Sequence, residues 1–453
     1  MAISADPFVL DVLDAWRRAA HERPGAPAVS TDGEQWWSRA ELLERVAAVP
    51  RIPDPLTGDP VPVGGGRPTG VRVVPDDDPA TALVTLLAAM AHDEVAVVAA
   101  SSTLPAVLDA VVAAASDGRI GTGRLVVATS GTTGRPRAVV RTWPSWTSSF
   151  AAFDAALRPG ADDVVWLPGP VPATLTLFGL CHAALTGLPV AATGRWRAGA
   201  VVPEGITLVH ALPAVLADVL DRPVAPRLRR ALVAGAPGTA RLRPAASARG
   251  IEVVEYYGAA ELSFVGLDDD GTGFTPFPQV GVELRGEQVW VRSAFLSLGY
   301  LPAPGLDPAA PLQYDDDGWA SVGDRARPTA DQRRFVLLGR PEAALVGGVT
   351  VVLADVEAVL AEVPGVSDVA CLAAPDAVLG EQVVAVLALD PAVELLGRHD
   401  LRRRVRGAVR AQLPQARALR LHLVPTLPRT AAGKIDRVAL SELTSPTAGT
   451  DLP

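Results

Sequence analysis

Cysteine is nearly absent. Cys181 and Cys371 are the chain's two thiols, too few for a disulfide framework or a zinc site, and both fall in apolar stretches that read as buried. The six histidines are scattered, without metal-ligand spacing. No charged segment followed by an apolar core opens the chain, so no signal peptide is expected. Mean hydropathy is +0.25, yet the long apolar stretches are cut by charge or proline, as at His92-Asp93-Glu94 and Pro105, and none reaches membrane-spanning length. Net positive charge is missing as well. A balance of −9 opposes nucleic-acid phosphates and excludes non-specific binding to them. The one basic run, Arg402-Arg403-Arg404 with Arg406 and Arg410, has helical spacing and reads as a solvated helix face. Internal repeats are absent too. These absences leave a reduced, cytoplasmic, enzyme-sized protein with no membrane and no nucleic-acid partner.

What is present is an ordinary globular composition, 49% hydrophobic and 20% charged over 453 residues, enough for two or three domains. Helices are expected at Phe8–Arg18, at Arg39–Val46 with Ser38 as N-cap, at Ala80–Ala91 and at Pro105–Ala115. A Pro/Gly-rich loop is expected over residues 50–70. Strands at Val95–Ala99, Leu125–Ala128, Val164–Leu167, Val190–Ala192, Thr207–His210, Ala231–Ala234 and Val253–Tyr256 alternate with helical stretches. That order predicts an α/β fold with mainly parallel sheets and helices on both faces. From Val280 the pattern changes to apolar–polar alternation around a Gly turn, an antiparallel hairpin over 282–292. A compact α/β unit follows from about Arg340 to Leu443.

The chain is organised around Leu125–Val140. An apolar strand leads into Thr129, Ser130, Gly131, Thr132, Thr133 and Gly134; Arg135 and Arg137 follow, split by Pro136. Glycines let backbone N–H groups turn inward as an anion nest, and hydroxyls and guanidinium groups supply further donors for phosphate oxygens. An isolated Gly-rich turn is more often just a turn; this density of hydroxyls and arginines points to a polyphosphate. The spacing is not that of the Walker loop, which argues against an NTPase of that class.

Other polar clusters interrupt strand ends, where open α/β sheets bind ligands. They are Gly235-Ala236-Pro237, then Tyr256-Tyr257-Gly258-Ala259-Ala260-Glu261, read as lying just past a strand, and Gly323-Asp324. An aromatic followed by Gly can border a purine, and a nearby carboxylate can hold Mg²⁺. An acid after Gly can accept ribose hydroxyls, although an acid in a turn is usually only a turn former. Gly347-Gly348 and Lys434, within Pro428–Arg437, complete the set; taken alone, Lys434 reads as a surface lysine.

In this order, the segments resemble the adenylate-forming superfamily of acyl-CoA synthetases, peptide-synthetase adenylation domains and luciferases, over nearly the whole chain. The resemblance implies a large domain over 1–339 with parallel sheets and a small antiparallel barrel-like part. It implies a small mobile α+β domain over 340–443; the terminal residues 444–453 are expected to be a disordered tail. Ser130–Gly134 would wrap the β- and γ-phosphates of ATP, with Thr129 flanking, and Arg137 would be catalytic together with Lys434 and Glu261. Gly235, Ala236, Pro237, Tyr256, Tyr257, Gly258 and Ala259 would border adenine, Glu261 would hold Mg²⁺, and Asp324 with Arg340 would hold the ribose. Lys434 would neutralise charge at the carboxylate and α-phosphate. Rotation about a hinge at Arg340 and Glu342 would then bring Gly347 and Gly348 to a thiol acceptor, CoA or a carrier protein.

Departures from the family pattern bear on the substrate. Arg137 stands where the family usually has Lys, Ala260 replaces a common Thr, and the hinge is about one residue short. The acid-binding segment Leu167–Thr174 lacks the usual His or aromatic, and the N-terminal lobe is trimmed. Pro172, Thr174, Gly235 and His210 are the candidate acid-pocket residues, whereas His182 reads as a packed histidine. The leading reading is activation of a small, aromatic or short acid for a thiol, nearest the o-succinylbenzoate and aryl-acid ligases. A second keeps adenylation but activates nitrite for an aromatic amine, or makes an amide. A third is a non-catalytic nucleotide-binding homologue.

Overall fold

The computed structural model describes residues 7–52, 70–130, 136–235, 239–307, 312–339, 343–346, 349–376, 380–389, 398–413, 419–430 and 433–444. The chain divides into two compact units. One comprises Met1–Glu283, Trp290–Val322 and Pro328–Phe335; the other comprises Leu284–Val289, Gly323–Arg327 and Val336–Pro453.

The first unit holds a nine-stranded sheet. Its parallel run passes from Glu252–Ala259 through Arg230–Val233, Leu208–Ala211, Val165–Leu167 and Val190–Ala192 to Pro27–Ser30. Antiparallel strands extend it at both ends, Ser263–Asp268 and then the edge strand Thr275–Pro276 on one side and Trp37–Ser38 on the other. A second, five-stranded sheet runs parallel over Val71–Val73, Val95–Val98 and Arg124–Ser130. It turns antiparallel at Pro136–Thr142 and Gly299–Tyr300. Strands covered on both faces need apolar side chains at every position, and Val95–Val98, Val165–Leu167 and Val190–Ala192 are buried throughout.

Helix boundaries follow local chemistry. Ser38 caps Arg39–Ala48 through a capping box, its hydroxyl accepting from the Glu41 N–H at 3.2 Å while the Glu41 carboxylate accepts from the Ser38 N–H at 2.7 Å. Asp78 caps Pro79–His92, which carries Pro79 in its first turn and ends on Asp93 at φ 60°. The first helix, Pro7–Glu22, runs longer than its sequence pattern predicts.

One expectation is corrected. Tyr256–Ala259 does not lie past a strand but within one, Glu252–Ala259. The parallel neighbour pairs only as far as Val233 with Glu255. Beyond that the strand is carried by its antiparallel partner, which pairs Tyr256 with Leu267 and Ala259 with Ser263.

In the second unit, Val349–Val352, Ala343–Val346, Gly380–Leu389 and Val366–Asp376 form an antiparallel sheet, with Leu419–Val424 parallel beside Gly380–Leu389. Leu353–Ala361 and Arg398–Gln412 pack on it through Val356, Leu360, Leu401, Val405 and Val409. Arg403, Arg404, Arg406 and Arg410 are exposed on the latter helix, and the first two pair with Asp400. The basic run is therefore a solvated face. Both cysteines are buried, and burial pushes the Cys181 thiol up to about 12. No helix among the described residues is long and apolar enough to cross a membrane. The tail beyond Thr444 lies outside the described residues.

Candidate active site

The loop begins where two strands are tightly zipped. Arg124–Ser130 and Pro136–Thr142 pair antiparallel up to Thr129 opposite Arg137 and Ser130 opposite Pro136. Five residues, 131–135, therefore connect adjacent strand ends; Gly131, Thr132, Thr133 and Gly134 lie outside the described residues. At the base, the Thr129 hydroxyl is buried and has no hydrogen-bond partner among the described residues. A buried hydroxyl left unsatisfied costs free energy until something binds it, which suits a phosphate-holding loop.

Arg137, at the exit of the loop, is held by an ion pair. Its guanidinium pairs with Asp307 at 2.8 Å, the two side chains 6% and 0% exposed, and the Asp307 N–H donates to the Pro136 carbonyl at 3.0 Å. A buried pair of this kind is costly to break from one side. Asp307→Ala should destabilise the protein by about 3–5 kcal/mol, read as a lower urea midpoint; an unchanged midpoint would mean that water already screens the pair.

Glu261 lies in the turn after the overhanging strand and is buried. Its Oε1 accepts a hydrogen bond from the Tyr300 hydroxyl at 2.6 Å. A buried carboxylate with one oxygen oriented in this way is a suitable hard-oxygen ligand for Mg²⁺. Just before it the ladder shifts register between Tyr257 and Gly258. A Cβ at Gly258 would stand 2.2 Å from the Ser263 carbonyl oxygen, so only glycine fits there. Tyr257 is buried, with ring contacts to Phe274 and Phe335, whereas the half-buried Tyr256 ring lies against Phe264. Gly235, at φ 85°, lies two residues past the end of the neighbouring strand Arg230–Val233; Ala236 and Pro237 lie outside the described residues.

The candidate acid-pocket residues fall on this unit too. Thr174 opens the helix Thr174–Thr186, and Pro172 sits in the turn before it. His210 is on Leu208–Ala211, with Val209 and Ala211 turned to the opposite core. Its ring meets Phe153 edge-on at 5.6 Å, and a Cβ on Gly179 would come 3.0 Å from Nδ1. Neither ring nitrogen has a hydrogen-bond partner among the described residues. Burial, reinforced by nearby His182, brings its pKa down to about 3. His182 itself is packed among Phe150, Phe153 and Phe178, with Nε2 at 2.9 Å from Asp154.

A pH dependence follows with a definite sign. Folded His210 stays neutral, while the unfolded chain takes up a proton below its ordinary value of about 6.5. His210 thus contributes stability that is complete above pH 6.5 and is lost as pH falls toward 3, at up to about 1.4 kcal/mol per pH unit. Urea midpoints between pH 7 and 4.5 should fall less steeply for His210→Leu than for the unsubstituted chain; identical slopes would refute this.

The second unit carries the remaining described candidates. Asp324 precedes the strand Arg325–Pro328, and its carbonyl accepts from the Val289 N–H at 2.8 Å. Lys434 is exposed on a closed turn. Its carbonyl accepts from the Thr430 N–H at 2.7 Å, and the Gly433 N–H donates to the Thr430 carbonyl at 2.9 Å, with Gly433 at φ 76°. Arg429 braces the turn through the Gly433 carbonyl and Asp368. Arg340, Glu342, Gly347 and Gly348 lie outside the described residues.

The motifs alone do not reveal Tyr300, Asp307 and Arg141. Arg141 is fully buried and donates to the carbonyls of Ala260, Ser145 and Phe295; burial drives its pKa down to about 9, opposed by the Glu261 carboxylate. One signal was open in the sequence: Lys434 is the only lysine, every other basic position among the 41 being arginine.

The family model for AMP-binding enzymes matches residues 123–295, and that for the AMP-binding enzyme C-terminal domain matches residues 355–434. A probable 2-succinylbenzoate–CoA ligase of Mycobacterium tuberculosis is 31% identical over 341 residues, spanning 70% of this chain and 83% of that protein. The structure of an amide bond synthetase from Marinactinospora thermotolerans aligns with a TM-score of 0.71 at 23% identity, over 96% of this chain and 100% of that one. That of o-succinylbenzoate coenzyme A synthetase from Bacillus subtilis, in complex with ATP and magnesium ion, aligns with a TM-score of 0.72 at 18% identity, over 94% and 99%. The two structures speak to the fold, and the sequence matches reach further. The chain belongs to the adenylate-forming superfamily of AMP-binding enzymes and is an AMP-forming, ATP-dependent ligase.

Proposed function

We propose that the enzyme adenylates a small carboxylic acid, aromatic or short, and passes the acyl group to a thiol, CoA or a carrier protein. The observation that carries this reading is the lone lysine in a braced turn. Arginine serves at every other basic position, so charge alone does not account for Lys434. A compact ammonium on a flexible stem can follow a phosphate through a reaction in a way a planar fork cannot.

The chemistry is positioning plus electrostatics. The acid's carboxylate oxygen attacks the α-phosphorus of ATP in line, a P–O bond to the acid forms, and pyrophosphate leaves with the bonding pair. Thr129 and the loop Ser130–Gly134 hold the β- and γ-phosphates, and Gly235, Tyr256 and Gly258 border the base. Asp324 and Arg340 hold the ribose, and Lys434 offsets negative charge on the carboxylate and α-phosphate. Glu261 would hold Mg²⁺, which when bound neutralises phosphate charge. Arg137, paired with Asp307, stands at the exit of the loop. Pro172, Thr174 and His210 line the acid's side of the site, and Gly347 and Gly348 line the thiol's approach.

The thiol reading is favoured by the relative at 31% identity, which is a probable CoA ligase; an amine acceptor rests on a likeness of fold alone. Incubation with ATP, Mg²⁺ and an acid panel, with CoA, a carrier protein or an aromatic amine in parallel, separates them. Thioester and AMP in equal amounts support the proposal. Amide formation with an amine, or AMP release driven by nitrite, would overturn it.

A further inference from the structure

Glu261 is held from outside its own sheet. It lies between Glu252–Ala259 and Ser263–Asp268 of the nine-stranded sheet, yet its carboxylate is met by Tyr300, on the edge strand of the five-stranded one. Tyr300 pairs with Val139 and Gly299 with Val140, on the strand that leaves the phosphate loop. Two residues beyond Val139, on that same strand, stands Arg141. Its guanidinium donates to the Ala260 carbonyl, one residue before Glu261, and to the Phe295 carbonyl. The Ser297 N–H donates to the Glu261 carbonyl at 2.8 Å, and the Tyr314 hydroxyl donates to the Ser297 carbonyl at 2.9 Å.

The side-chain carboxylate of Glu261, its own carbonyl and the carbonyl before it are therefore all fixed by groups on or beside the strand Pro136–Thr142. An apolar side chain could fill the Arg141 position without the cost of burying a charge. What a guanidinium adds is several directed bonds that hold three chain segments at set distances.

We infer that Tyr300 and Arg141 are positioning residues that aim the Glu261 carboxylate at the metal and fix its distance from the phosphate loop. This rests on the reading of Glu261 as the Mg²⁺ ligand. Orientation of a ligating carboxylate by a hydrogen bond changes metal affinity by about 10–100-fold, without a need to alter what holds the rest of the nucleotide.

The test is binding rather than turnover. Affinity for a non-hydrolysable ATP analogue is measured by calorimetry with and without Mn²⁺, in the unsubstituted enzyme, Tyr300→Phe and Glu261→Gln. Arg141→Lys, which keeps the charge but loses the fork, is measured beside them, with circular dichroism to confirm folding. We expect Glu261→Gln to lose the gain in affinity that Mn²⁺ brings. Tyr300→Phe should lose about tenfold of that gain and keep its metal-free affinity. If Glu261→Gln loses the gain and Tyr300→Phe retains it, the positioning role is wrong and the metal assignment stands. If Glu261→Gln retains the gain, the metal assignment fails and takes the inference with it. An equal drop in metal-free and metal-dependent affinity in Tyr300→Phe would show a general structural role and overturn the inference.

Discussion

Lys434→Ala should lower acid-dependent pyrophosphate exchange into ATP by about 10²–10³-fold, the usual loss when one preorganised charge at a developing anion is removed. Nucleotide binding should persist, because the loop, Gly258 and Glu261 belong to other segments of the chain. The Lys434 turn is held by backbone bonds and by Arg429, and these remain when the side chain is shortened. Lys434→Arg separates charge from geometry. It keeps the positive charge but replaces a point donor with a fork, and it too should fall well below the unsubstituted rate. Because Lys434 is the sole lysine, an amine-specific reagent has one side chain to find. Its modification, followed by peptide mass spectrometry, should track loss of exchange, and ATP with the acid should slow both together. Full activity in Lys434→Ala would remove Lys434 from the chemistry.

The second large effect is expected at Gly258. An alanine there would place its Cβ 2.2 Å from the Ser263 carbonyl oxygen, a backbone atom fixed in the ladder. Relief requires the two strands to part at the register shift, next to the turn that presents Glu261. Overpacking of this kind costs about 1–3 kcal/mol, and here the strain falls on the residues proposed to border the base. Gly258→Ala should weaken nucleotide binding by more than about tenfold, the equivalent of 1.4 kcal/mol, and lower the thermal midpoint. Unchanged binding would mean that the ladder yields without moving Glu261.

The sequence made local chemistry legible and hid what the fold brings together. The strand Val190–Ala192 was legible because it is a short apolar run between turn residues, and Ser38 because a capping box is written within four residues. The loop between Thr129 and Arg137 was legible as a strand–loop–strand. The extent of Glu252–Ala259 was not, since its last residues are carried by a partner strand rather than by the parallel sheet. Tyr300 and Glu261 lie 39 positions apart, and Arg141 and Phe295 lie 154 apart; no periodicity links them. Arg137 reads as a phosphate ligand from its place beside the loop, and only the fold shows its guanidinium paired with Asp307. His210 is opposite in character: its position was legible, while the lack of any partner for its ring nitrogens appears only once the helices close over it.

The central claim is that a carboxylic acid is the group adenylated. Pyrophosphate exchange into ATP, measured over aromatic and short aliphatic acids with nitrite alongside, tests it most directly, because exchange reports the adenylate before any acceptor is involved. Exchange is expected with at least one carboxylic acid and not with nitrite. Exchange with nitrite alone, strengthened by an aromatic amine, would contradict it.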